Sequence, residues 1–324
     1  MTKSYPNPLV FQRADPCIYK HTDGYYYFTA SVPAYDCIEI RRARTLAGLD
    51  TASPFTAWTH HLQGEMSSLI WAPEIHYLRG KWYIYFAAAP NQQVTGDTFN
   101  HRMYVLENSN ADPLTPHWVE KGQIHTGWES FSLDATVFEH NNKLYYIWAQ
   151  EDKDINEKSH SNLYISEMKN PWTLTGRPTL LTQPEFSWER QIFWVNEGPS
   201  VLIKNNHVFL TYSASATDEN YCLGMLVAPA DANLLEQSSW LKIDHPVFRT
   251  SYANHIYGPG HNSFTVSEDG KTDLLVYHAR NYTEIPGDPL YDPNRHTRVQ
   301  PIHWREDGMP DFGVPAEENR TMNA

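Results

Sequence analysis

The stretch Asn196-Glu197-Gly198-Pro199-Ser200-Val201-Leu202-Ile203 runs through Asn205-Asn206-His207 into Val208-Phe209-Leu210-Thr211-Tyr212-Ser213. An acidic residue and a tight Gly-Pro element open a short apolar strand. A polar turn follows, then a second strand ending in an aromatic. The pattern occurs four more times. Asp15-Pro16-Cys17-Ile18-Tyr19 leads through Asp23-Gly24 to Tyr25-Tyr26-Tyr27-Phe28. Ala72-Pro73-Glu74-Ile75 leads through Arg79-Gly80 to Trp82-Tyr83-Ile84-Tyr85-Phe86. Asp134-Ala135-Thr136-Val137-Phe138 leads through Asn141-Asn142 to Leu144-Tyr145-Tyr146-Ile147-Trp148. Gly260-His261-Asn262-Ser263-Phe264 leads through Asp269-Gly270 to Leu274-Leu275-Val276-Tyr277-His278.

The opening polar residues, Asp15, Glu74, Asp134, Glu197 and His261, recur with a period of about 60 residues, the mark of a repeat architecture. Strand–turn–strand units of that size predict propeller blades with long outer loops. Five units predict an all-β, single-domain, five-bladed β-propeller, with blades over roughly 12–58, 70–118, 132–174, 195–242 and 258–305. The register is imperfect. Aligned on the following Pro, Asp15 matches Gly198, and Glu197 falls one residue early. In a propeller the starts of the innermost strands converge on one mouth of the central channel. Polar groups there must be paired or solvated. One such residue is as well explained by plugging the channel. The set of Asp, Glu, Asp, Glu and His in unlike contexts points to a division of labour.

The chain has 324 residues, with 11 Trp and 20 Tyr. These aromatics suit strands and blade packing, and also suit stacking on sugar rings. A formal charge of −13 disfavours nucleic acid, anionic membrane and polyuronate partners. Cys17, Cys37 and Cys222 imply no disulfide framework. The first residues, Met1-Thr2-Lys3-Ser4-Tyr5-Pro6, lack the apolar run of a signal peptide, and no segment has the length and apolarity to span a membrane. The expected location is therefore cytoplasmic.

Residues 1–11 read as an extended segment that joins the other end of the chain to close the ring. The loops 90–101 and 281–295 are polar and are expected at the mouth. Residues 231–240 are the best candidate for a short helix or turn. The tail, 315–324, is expected to fray.

Two carboxyls in a sugar cleft are the minimum for glycoside hydrolysis. One must be protonated and the other ionised, and environment separates their pKa values. Glu197 follows Phe193, Trp194 and Val195, an apolar run that favours the protonated acid. Asp15 follows Arg13, and a nearby cation favours the ionised base. Asp134 is a third carboxyl that would raise the pKa of the acid and orient it.

Arg13-Ala14-Asp15-Pro16, Trp71-Ala72-Pro73-Glu74, Ser132-Leu133-Asp134-Ala135, Asn196-Glu197-Gly198-Pro199 and Gly258-Pro259-Gly260-His261 together resemble glycoside hydrolase family 43. Each motif is common, but the ordered set over residues 12–305 is specific. The resemblance implies inversion, with Asp15 as base, Asp134 as pKa modulator and Glu197 as acid. It implies carboxyls roughly 6.5–9.5 Å apart, with room for a water. It implies a substrate-contacting Arg, for which Arg295, preceding His296-Thr297 and with Trp304 nearby, fits better than Arg298. His261 is expected near a channel cation, directly or through water, or as a hydrogen-bonded structural residue. The cation would be structural, Ca²⁺ or another, and no cofactor is expected in the chemistry. Glu74 is a supporting candidate. Trp71 and Trp194 are candidates for stacking on sugar, and Phe131, Ser132 and Tyr257 for lining the pocket.

Within the family the fuller motifs look like α-L-arabinofuranosidases acting on 1,5-linked arabino-oligosaccharides, and the β-sandwich domain of many β-xylosidases of the family is not expected. Exo-type release of arabinose is expected, with β-xylosidase activity on xylo-oligosaccharides as the alternative. A non-catalytic sugar-binding propeller would repeat one pocket in every blade, whereas these mouths differ. The fructan-cleaving propellers open on Asn-Asp-Pro, and this chain opens on Arg13-Ala14-Asp15-Pro16.

Overall fold

The computed structural model describes residues 5–322. Residues 1–4 of the predicted closing segment, and 323–324 of the tail, lie outside the described residues.

Five antiparallel sheets form in chain order. The first holds Ala14–Lys20, Tyr26–Ser31, Cys37–Ala43 and Phe55–Thr59. The second holds Ser68–Leu78, Lys81–Ala89, Arg102–Asn108 and Val119–Gln123. The third holds Ser132–His140, Lys143–Gln150, Asn162–Asn170 and Thr173–Thr182. The fourth holds Asn196–Lys204, His207–Ala214, Cys222–Pro229 and Leu241–Lys242. The fifth has three strands, Tyr257–Val266, Asp273–Arg280 and His296–Pro301. Each innermost strand packs against the innermost strands of the blades before and after it, and blade 5 against blade 1. That closes a five-bladed propeller.

The ring is sealed from both ends of the chain. Val10 bridges Thr297 at the free edge of blade 5. The predicted fraying of the tail does not occur over its described part. Asn319 donates its backbone N–H to Asn7, Glu318 pairs with Arg298, and Arg320 pairs with Asp50. These charge-assisted bonds hold a polar segment that has little apolar surface to bury. The 231–240 stretch contains a short 3₁₀ turn, Gln237–Ser239.

One backbone feature recurs in every blade and positions the site. Asp15, Ala72, Asp134, Gly198 and His261 all have φ between +42° and +54°. Each lies where its inner strand slips register against its neighbour, between Ala14 and Cys17, Trp71 and Glu74, Leu133 and Ala135, Glu197 and Ser200, and Gly260 and Ser263. A bulge of this kind bends the strand and re-aims a side chain. The left-handed conformation costs of order 1–3 kcal/mol at a non-glycine residue and persists only where the surroundings enforce it. The structurally equivalent column is therefore Asp15, Ala72, Asp134, Gly198 and His261. Glu74 and Glu197 are off that column, which explains the imperfect register of the sequence repeat.

The blades are packed closely enough for single methyl groups to matter. A Cβ on Gly224 would fall 2.3 Å from Tyr212 Cζ, in the buried face of blade 4. Gly224→Ala is expected to lower unfolding stability by about 1–3 kcal/mol through overpacking. Denaturant unfolding of the two proteins measures it.

Candidate active site

Asp15, Asp134, Glu197, His261 and Arg295 meet in one pocket of about 310 Å³. The bulges bring them there. In blades 1, 3 and 5 the left-handed residue itself carries the functional side chain. In blade 4 that residue is Gly198, and Glu197 before it points inward. The Gly198 N–H donates to Asp134 Oδ2 at 3.1 Å, so the blade 4 turn grips the blade 3 carboxylate.

Asp15 is 8% exposed and surrounded by donors. Ser31 Oγ donates to Oδ2 at 2.5 Å, and Arg295 Nη1 to Oδ1 at 3.4 Å. His261 Nδ1 lies 3.3 Å from Oδ1 and 3.6 Å from Asp134 Oδ2. Burial works to raise the Asp15 pKa, but Arg295, His261 and His278 outweigh it and hold the carboxyl well below the usual range. Arg295 is the permanent cation among them. His278 Nδ1 accepts the Asp15 backbone N–H at 3.0 Å, so its ring proton sits on Nε2, and burial drives its pKa down to about 3. The expectation that Arg13 sets the charge of Asp15 is corrected here. Arg13 pairs with Glu39 at 2.7 Å.

Glu197 and Asp134 face the opposite pressure. Burial raises the Glu197 pKa; the Tyr221 hydroxyl opposes this, Asp15 adds to it, and the result is about 7. Burial, then Glu197 and Asp15, push Asp134 well above its ordinary value. Two carboxyls this close titrate as a pair, and near neutrality the pair holds a proton that neither side chain would hold in water. The arrangement can keep one carboxyl ionised and another protonated at the same pH.

The wall is aromatic. Trp71, Phe99 and Phe131 line it. All three pack on the ring of His101, which stacks on Trp71 at 4.0 Å. Tyr35 meets Trp71 edge-on, accepts Arg295 Nη2 at 2.9 Å and donates to the Leu290 carbonyl. Both predicted mouth loops contribute, Val94, Asp97 and Thr98 from one and residues 288–290 from the other.

The remaining predicted residues lie elsewhere. Glu74 lines a separate cavity of about 170 Å³ in the channel, where it pairs with His76 at 2.8 Å. It sits two residues past the left-handed position, so its side chain starts further down the strand. Ser132 is buried in the sheet and donates its N–H to the His101 carbonyl. Trp194 sits outside the pocket wall, under Arg190 at 4.5 Å, and its neighbour Phe193 lines the pocket instead. Tyr257 packs against Tyr252 away from the wall. Trp304 donates to Asp273. Tyr35, His101, Tyr221 and His278 were missed. None stands in a blade-opening motif, and only His278, closing a predicted strand, lay within a repeated unit.

Fold and site define a class: a five-bladed propeller with an acid–base set of carboxyls at one mouth of its channel. The family model for glycosyl hydrolases family 43 matches residues 5–310, and the chain belongs to that family. It is 57% identical over 318 residues to an extracellular exo-α-(1→5)-L-arabinofuranosidase of Streptomyces avermitilis, covering 98% of this chain and 65% of that one. It is 54% identical to an enzyme of the same name from Streptomyces chartreusis, covering 88% of this chain and 85% of that one. A crystal structure of α-L-arabinofuranosidase from Lactobacillus brevis superposes with a TM-score of 0.96 at 60% identity, covering 98% of each chain. The chain thus spans 65% of the length of the first of these relatives. The expected cytoplasmic location does not stand, because both Streptomyces relatives are named extracellular. No helix among the described residues is long and apolar enough to cross a membrane.

Proposed function

We propose that this chain is an exo-acting α-L-arabinofuranosidase that releases L-arabinose from α-1,5-linked arabino-oligosaccharides with inversion. The observation that carries the reading is two carboxyls in one aromatic-walled pocket with opposite surroundings, Asp15 beside the Arg295 guanidinium and Glu197 buried against the Tyr221 hydroxyl. Asp15 is held ionised by Arg295, and Glu197 is raised to about 7. Asp15 takes a proton from water, whose oxygen bonds to the anomeric carbon. Glu197 gives its proton to the glycosidic oxygen as that carbon–oxygen bond breaks. Asp134 keeps the proton on Glu197 until it is needed. Arg295 and Trp71 bind the sugar. The high identity to enzymes named for this activity supports the choice of arabinose over xylose.

The test is turnover of arabinobiose, arabinotriose and xylobiose, followed by proton NMR of the first anomer formed. Faster release of arabinose, as the β-anomer, is expected. Preference for xylobiose, or the α-anomer first, overturns it.

Asp134→Asn takes away the second carboxyl of the proton-sharing pair and leaves Glu197 to titrate alone, so Glu197 loses its proton at lower pH. The basic limb of the kcat/KM profile is expected to move down by about one unit. A limb that stays in place or rises removes Asp134 from this role.

A channel cation beside His261 belongs to the same reading. Among the described residues no three His, Cys, Asp or Glu side chains form a ligand set, and His261 would meet such an ion directly or through water. Elemental analysis of the purified protein checks it, and the steps above assign it no part.

A further inference from the structure

We propose that Tyr221 determines which oxygen of Glu197 carries the catalytic proton, and that Gly260 lacks a side chain to make room for it. The proposal rests on the reading of Glu197 as the acid.

Tyr221 immediately precedes the third strand of blade 4 and is 1% exposed. Its hydroxyl donates to Glu197 Oε1 at 2.7 Å. Ser213 lies beside the phenol, and its Oγ accepts the His261 N–H at 2.7 Å. The Tyr221 ring lies parallel to His278, 5.6 Å away, and His278 holds the Asp15 backbone. One phenol thus touches the acid side of the pocket with its hydroxyl and the base side with its ring. A Cβ on Gly260 would fall 2.2 Å from Tyr221 Cε1 and 2.3 Å from Cδ1. The glycine of the blade 5 motif is a space for this ring.

The chemical consequence follows from occupancy. Glu197 Oε1 is taken by Tyr221, and Oε2 has no protein partner among the described residues. The transferable proton therefore rides on Oε2, the oxygen free to meet a glycosidic bond. As that proton leaves, Glu197 becomes anionic and the bond from Tyr221 becomes charge-assisted, hence shorter and stronger. An interaction that strengthens as charge develops stabilises the transition state more than the ground state. The other groups facing this pair are Asp134, Asp15 and Arg295, with His278 beneath the ring and His261 beyond Ser213.

Tyr221→Phe keeps the ring, the stack and the fit against Gly260 and removes one O–H. The expected result is a kcat on arabinotriose lower by about 10- to 100-fold, the worth of a hydrogen bond to a charged group, with KM unchanged. 4-Nitrophenyl α-L-arabinofuranoside, whose leaving group needs little protonation, should lose far less. The basic limb of the pH profile should rise, because the Glu197 carboxylate has lost its donor. Equal loss on both substrates, or an unmoved basic limb, overturns the proposal. Gly260→Ala should displace the ring and show the same split between substrates; a folded variant without the split also overturns it. Glu197→Gln separates the two levels. If that variant treats both substrates alike, Glu197 is not the acid and both readings fall. If it shows the split and Tyr221→Phe does not, only the role of Tyr221 falls.

Discussion

Glu197→Gln is expected to lower kcat/KM on arabinotriose by about 10²- to 10⁴-fold, the usual worth of a positioned general acid. The variant side chain has the same shape and can still accept the Tyr221 hydroxyl through its amide oxygen. It cannot release a proton. The leaving group of arabinotriose is a sugar alkoxide, which departs poorly unless protonated. A nitrophenolate departs unaided, so the nitrophenyl arabinofuranoside should lose less than about tenfold. The wild-type basic limb, set by a group raised to about 7, should vanish from the variant's profile on the nitrophenyl substrate. Comparable losses on both substrates would remove Glu197 from the leaving-group side of the reaction.

Asp15→Asn is expected to cost a comparable factor, about 10²- to 10⁴-fold, but on both substrates alike. Water must be deprotonated whatever the leaving group, so activating the leaving group cannot compensate. The acid limb of the wild-type profile should be very low, because Arg295 holds Asp15 below the usual carboxylate range. The substitution also leaves Arg295 buried without its anion, and breaking a buried pair costs about 3–5 kcal/mol. Tyr35 keeps one Arg295 bond, which limits that loss. Kinetics on the folded fraction, judged by circular dichroism, separate the two effects. A variant that is fully folded and still active on either substrate would rule out Asp15 as the base.

The propeller was readable because its strand pairs are local. Each hairpin turn and each apolar run lies within a few residues of its partner, so a 60-residue period survives in sequence. The three carboxyls were readable because blade openings converge in any propeller. The supporting cast was not. Arg13 stands two residues from Asp15 yet pairs with Glu39, while the cation that does hold Asp15, Arg295, is 280 positions away. Glu74 looked equivalent to Asp15, but the bulge of blade 2 falls at Ala72, and a two-residue offset moves a side chain down the channel. Trp194 and Phe193 exchange roles because they lie in an irregular bend before the strand, where the Phe193 N–H closes a tight turn on the Gln191 carbonyl and no strand alternation fixes which side chain enters the pocket.

The amino-acid sequence by itself determined the repeat, the blade count and the residues that open each blade. Alternation of apolar and polar residues, and the demands of tight turns, are written locally and need no distant partner. The tertiary structure alone decided which of those openings face the pocket, which cation sets the charge of Asp15, and which phenol holds Glu197. Those outcomes depend on the sign of φ at single bulge residues and on groups from different blades meeting across the ring, and neither leaves a local trace in the chain.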